Sequence, residues 1–165
     1  MKYRLASSLV LAVFCAFAAS GCGCGSRGDR PIPGAETSIS VSGKGERCTV
    51  ILTAQPRLAK AGSIVNLTLA VTNDGKTSRT FEMPSAQAFD FTARFQGNEV
   101  WRMSSGMSFA QAVTPVTVAP GKSKVYTAAW DTGGEQPGKY RVDGIFLGLP
   151  GVKPAADITL SKDGS

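Results

Sequence analysis

The sequence is expected to fold as an all-β protein, an immunoglobulin-like antiparallel β-sandwich of about seven to nine short strands. Three observations carry that expectation. Strand-like runs recur at spacings of about 8 to 15 residues, separated by Gly, Pro, Asn and Asp turn signals. No window of helical period longer than about two turns interrupts them. Six of the thirteen aromatics (Phe81, Phe89, Phe91, Phe95, Trp101 and Phe109) lie between Phe81 and Gln111. Aromatic burial dominates core energetics, so that segment belongs at the centre of the core.

In chain order, residues 1–21 read as a lipoprotein signal peptide outside the fold. Lys2 and Arg4 supply its positive start, and the eleven apolar residues Leu9 to Ala19 are too few to span a bilayer as a helix. Ala19-Ser20-Gly21-Cys22 resembles a bacterial lipobox, with the Cys22 thiol as acyl acceptor. The alternative is an ordinary secretory peptide cut near Ala19 or Gly21. Acylation would leave the protein exported and lipid-anchored to a bacterial membrane. Gly23 stands where an Asp would argue for inner-membrane retention, which favours the outer membrane or cell surface. Residues 22–46 are rich in Gly, Ser and Pro and read as a flexible tether. Arg27-Gly28-Asp29 within them reads as solvated linker. Once Cys15 leaves with the signal and Cys22 is acylated, Cys24 and Cys48 remain. An oxidising compartment permits a disulfide between them, although Cys48 reads equally as a small buried apolar residue.

Residues 47–165 form the folded domain. Thr49 to Ala54 opens it, and Ser63 to Asn73 follows, with Val65, Leu67, Leu69 and Val71 on one face. Asn73-Asp74-Gly75-Lys76 turns the chain into Ser78 to Met83. Phe89 to Phe95 places Phe89, Phe91 and Phe95 on one side and Asp90, Thr92 and Arg94 on the other. Gln96-Gly97-Asn98-Glu99 turns into Val100 to Met103. Val113 to Val118, Lys124 to Trp130 and Lys139 to Leu147 complete the set, with Ala156 to Leu160 as a final edge strand. Trp101 and Trp130 read as packing residues. Tyr140, Val142 and Phe146 share a face, with Gly144 between them as a bulge or close-approach point.

Composition narrows the function. The net charge of +6 falls to +4 when Lys2 and Arg4 leave, and the remaining Lys and Arg are scattered singly. That pattern suits an anionic membrane surface nearby and makes no nucleic-acid groove. The chain contains no histidine, which removes the commonest general base and most transition-metal sites. Asp90, Asp131, Asp143, Glu82, Glu99 and Glu135 alternate with apolar residues or sit in turns, so they read as solvated. Neither a catalytic residue, a metal site nor a cofactor is expected. A binding protein remains.

On a rigid sandwich, recognition resides in loops. The main candidate is Ser104 to Ala112, where Ser105, Gly106, Met107, Ser108 and Phe109 could offer an apolar anchor to a protease pocket. The alternative folds Phe109 and Met107 inward as a plug. Pro84, Ser85 and Gln87 in Met83 to Ala88, and Gly133 and Gly134 in Asp131 to Gly138, are secondary candidates.

Pro84-Ser85-x-Gln87-x-Phe89-Asp90-Phe91, then Glu99-Val100-Trp101-Arg102, then Ser104-x-Gly106-Met107-x-Phe109-x-Gln111, resembles the BsuPI intracellular proteinase inhibitor family. The resemblance covers about residues 65–148. It implies the same sandwich and inhibition of a serine protease, here an extracytoplasmic one. A non-inhibitory immunoglobulin-like interaction or assembly module of the cell envelope is the other reading, since one fold hosts many binding functions.

Overall fold

The computed structural model describes residues 39–45 and 47–162, the first of these segments by its backbone alone. Eleven strands are present among the described residues: β1 (Ile39–Gly45), β2 (Cys48–Gln55), β3 (Leu58–Lys60), β4 (Ile64–Asn73), β5 (Arg79–Met83), β6 (Phe89–Phe95), β7 (Asn98–Arg102), β8 (Thr114–Val118), β9 (Ser123–Asp131), β10 (Gly138–Phe146) and β11 (Ala155–Ser161). They form a four-stranded sheet, β1-β2-β4-β9, a five-stranded sheet, β3-β11-β10-β6-β7, and the two-stranded ribbon β5-β8. The expected all-β sandwich is therefore the fold, with more strands than the sequence announces.

Alternation explains the core. Val50, Leu52 and Ala54 of β2, and Val65, Leu67, Leu69 and Val71 of β4, are all fully buried. They face Phe91 and Ala93 of β6, Tyr140, Val142 and Phe146 of β10, and Ala156, Ile158 and Leu160 of β11. A Cβ on Gly144 would stand 2.7 Å from Leu69 Cδ1 and 3.3 Å from Leu52 Cδ1. Gly144 is thus a point of close approach between the two sheets, and the bulge lies instead between Ala93 and Arg94. Trp101 on the β7 edge stacks on fully buried Trp130 of β9 at 5.9 Å between centroids, which joins the open edges of the two sheets. At the other end of the core, Tyr126 stacks on Phe89 at 4.6 Å and on Phe146 at 5.9 Å. The sandwich thus has a Trp130–Tyr140 end and a Phe89–Phe146 end.

Three expectations need correction. β1 occupies residues expected to be tether and pairs along its whole length with β2. Its Ser- and Gly-rich wording hides a strand that main-chain hydrogen bonds to an existing sheet supply. β11 is not an edge: β3, three residues long and parallel to it, lies outside it. The expected turn after Asn73 does lead into β5, but not to a strand bonded to β4, which pairs with β2 and β9. The buried Asn73 amide donates to Thr77 O (2.8 Å) and Val118 O (2.9 Å), fixing the crossover to the β5–β8 ribbon. Asp90 and Asp143, read as solvated, do not face solvent; they are 3 % and 7 % exposed.

Candidate functional site

The site is rooted on one buried carboxylate. Gln96 and Gly97 turn β6 into β7 with φ of 50° and 87°, the pair of positive values a tight hairpin turn requires. The bulge at Ala93/Arg94 then sets Arg102 directly across from Thr92. From there its Nη1 reaches Asp90 Oδ2 at 2.8 Å. Its Nε and Nη2 hold Glu99 bidentately at 2.8 and 2.6 Å. The hydrogen bonds to Glu99 first, and to Asp90 second, raise the Arg102 pKa, and Arg102 in turn holds the Glu99 carboxyl below its usual range. Asp90 also accepts from Ser104 Oγ (2.7 Å), Ser104 N (3.2 Å) and Phe91 N (2.9 Å). A carboxylate removed from water needs such partners, and here they fix the first residue of the Ser104–Ala112 loop.

Beyond Ser104 the loop turns on itself, with Met107 N donating to Ser104 O at 3.0 Å and Gly106 at φ 76°. Met107 is 54 % exposed, and Val113, at the loop exit, is 68 % exposed. Ser105, Gly106 and Ser108 are exposed, while Phe109 is half-buried. No charged side chain occurs from Met103 to Val113. The far limb is held by the neighbouring connection, where Ala86 N donates to Ala110 O at 2.9 Å. In that connection Pro84 is exposed, and Ser85 Oγ accepts from Gln87 N at 3.2 Å. Leu147 N donates to Ala88 O at 3.0 Å, tying the connection to the chain after β10. A Cβ on Gly148 would meet Phe81 Cβ at 2.7 Å and both Met83 Cε and Phe146 Cε1 at 2.8 Å, so only glycine fits there.

Two of the three candidate loops are therefore brought together at the Phe89–Phe146 end. Gly133 and Gly134 are not with them. Their connection follows Asp131, which pairs with Ile64 beyond Trp130, at the opposite end. It is anchored by Thr132, fully buried, whose Oγ1 donates to Ser63 O (2.6 Å) and accepts from Gly62 N (3.0 Å). Tyr140 Oη donates to Gln136 O at 2.6 Å in the same connection.

Cys48 is buried at the head of β2, and desolvation, the largest effect on it, raises its thiol pKa. Cys22, Cys24, the signal segment and the Arg27-Gly28-Asp29 tripeptide lie outside the described residues. No group of three His, Cys, Asp or Glu side chains that could hold a metal occurs among the described residues. Three parts of the site escape the sequence. Val113 reads there as the start of a strand, although β8 begins one residue later. The Ala86–Ala110 bond joins two residues with no polar side chain to announce it. The Asp90–Arg102–Ser104 cluster is concealed by strand alternation, and only a buried-acid reading of Phe-Asp-Phe would have found it.

With this geometry established, the family model described as BsuPI, intracellular proteinase inhibitor, matches residues 52–150, which include both loops and the Asp90 cluster. No curated protein matches the sequence. Among solved structures, a cycloisomaltooligosaccharide glucanotransferase from Paenibacillus sp. aligns at TM-score 0.47 and 17 % identity, over 74 % of this chain and 14 % of that one. The CARDB domain of a Pyrococcus furiosus protein aligns at TM-score 0.40 and 17 % identity, over 75 % of this chain and 96 % of that one. The sporulation control protein Spo0M of Bacillus subtilis aligns at TM-score 0.41 and 13 % identity, over 73 % and 51 %. The chain thus spans about a seventh of the glucanotransferase and half of the sporulation protein.

Proposed function

The chain belongs to the BsuPI intracellular proteinase inhibitor family, and from that premise we propose that it is an exported, lipid-anchored inhibitor of an extracytoplasmic serine proteinase. The anchor is Cys22, and the contact surface is the Ser104–Val113 loop with Pro84–Ala88 beside it. One observation supports this reading above the rest. A neutral loop with an exposed methionine is held at both limbs, by Asp90 at Ser104 and by Ala86 at Ala110. Such a loop loses little freedom when an enzyme closes on it, so dissociation is slow. Met107 supplies apolar surface for a specificity pocket, and exposed Ser105, Gly106 and Ser108 around it leave the enzyme room to approach.

The test is a titration of the full chain, purified in detergent, against a panel of secreted and periplasmic serine proteinases. Stoichiometric inhibition of at least one enzyme is expected. Loss of inhibition throughout the panel at micromolar concentration would refute the inhibitory reading and favour the non-inhibitory envelope module.

A further inference from the structure

Cations that are scattered in the sequence gather on one face in the fold. Leu58 of β3 pairs with Thr159 of β11, which pairs with Lys139 of β10. Lys60 pairs with Ser161, and Arg141 lies between Asp157 and Arg94. Cross-strand partners share a face, so the outer side of the five-stranded sheet carries Lys60, Lys139, Arg141 and Arg94, with exposed Arg57 at its edge. It also carries Asp157, Asp143 and, across from Arg94, Glu99, which with Asp90 is held by Arg102. The unpaired excess of positive charge lies at the β3–β11–β10 side. Arg94, Lys139, Arg141 and Asp157 line a groove of about 200 Å³ there. Asp143 accepts from Arg94 at 2.6 Å and lies 3.4 Å from Arg141 Nε. Arg57, Lys60 and Lys139 make no ion pair among the described residues. Leu58, flanked by this charge, is 62 % exposed.

The chain that leads back to Cys22 enters beside this face. Ile39, the first residue of β1, pairs with Ala54, three residues before Arg57. The sixteen residues from Gly23 to Ser38 reach at most about 55 Å when fully extended. An anchor at Cys22 would therefore keep the face at high local concentration beside the headgroups.

We propose that this face docks the domain on a bilayer surface containing anionic phospholipid, with Leu58 at the interface and the Ser104–Val113 loop turned away from it. The orientation rests on the anchored reading above; the attraction itself rests on the charge of the face. Each Lys or Arg brought to an anionic surface strengthens docking by about fivefold, and salt screens the effect.

Lysine footprinting of the full chain tests this. The protein is reconstituted in phosphatidylcholine vesicles, with or without one third phosphatidylglycerol, and labelled with a water-soluble acylating reagent. Labelling of Lys60 and Lys139 is expected to slow by about tenfold or more only in the anionic vesicles and to recover in high salt. Lys76, Lys122 and Lys124, exposed at the Phe89–Phe146 end, should keep their rates. The double variant R57E/K60E should abolish the slowing at Lys139. Uniform labelling in both vesicles, equal protection in neutral vesicles, or protection by a soluble anionic wall polymer instead of vesicles would overturn the proposal. The Cys22 peptide from the same digest reads anchoring separately. Absence of its acyl group refutes the anchor, whatever the lysines report.

Discussion

The two ends of the sandwich carry connections that look alike in sequence and differ in what they present. Both are short of regular structure, contain glycine and are fixed by buried polar groups: Asp90 under Ser104 at one end, Thr132 under Ser63 at the other. Rigidity therefore does not separate them. The Ser104–Val113 loop exposes Met107 and Val113 and has no charge, whereas the Asp131–Gly138 connection exposes no large apolar side chain. Binding energy concentrates in a few anchors that leave water completely, so only the first loop has material for a hot spot. Anchoring of a loop and contact by a loop are distinct properties, and substitutions can separate them.

The largest effect is expected from Asp90→Ala. It removes a carboxylate that is 3 % exposed and accepts four hydrogen bonds. Arg102 keeps Glu99 and is 37 % exposed, which places the cost at the low end for a broken buried pair, about 3 kcal/mol. Urea unfolding should show it, and inhibition should fall with it because Ser104 is released. Met107→Ala comes next and should do the reverse. Inhibition is expected to weaken about 30-fold, a loss of about 2 kcal/mol at an interface anchor, with an unchanged unfolding midpoint. Equal loss of stability in this variant would mean that Met107 is a packing residue.

Thr132→Ala supplies the control at the opposite end. Deleting its hydroxyl removes two hydrogen bonds, but Ser63 O keeps Thr132 N and Gly62 N keeps Thr132 O, so the cost is about 1 kcal/mol, while the inhibition constant should not move. A shift in inhibition would bring the Gly133–Gly134 connection back into the contact surface. The smallest effect is electrostatic. Arg102 lowers the Glu99 pKa in the folded state, so this pair stabilises the protein at neutral pH, and its contribution disappears as pH falls below about 4.5. Urea midpoints between pH 7 and pH 3 should converge for the native chain and Glu99→Gln at the acid end.

What the sequence makes legible follows from the same physics. Strands with one apolar face, such as Val65–Val71, declare both themselves and the side they bury. Five aromatics of the cluster, Phe81, Phe89, Phe91, Phe95 and Trp101, lie in the core or pack against it, whereas Phe109 sits half-buried in the loop outside it. β1 and β3 are illegible, since their pairing comes from main-chain hydrogen bonds to strands already in place, and Ile39–Gly45 and Leu58–Lys60 have no pattern of their own. Asp90 is hidden for a different reason. Alternation sends it to solvent, but a bulge three residues away draws Arg102 over it, and no local rule encodes that long-range partner. The site is legible as loops but not as a pair. Met83–Ala88 and Ser104–Ala112 carry the composition of exposed connections, while their meeting at Ala86 and Ala110 depends on how the β5–β8 ribbon crosses the sandwich.

The central claim is that an inhibitory contact is made by the pinned, apolar loop and not by its counterpart at the other end. Amide hydrogen exchange of the full chain, free and in complex with a serine proteinase that the titration finds it to inhibit, tests this most directly. Exchange should slow from Ser105 to Gln111 and stay unchanged from Thr132 to Gly138. Protection at Thr132–Gly138, or none at Ser105–Gln111 in a formed complex, would contradict it.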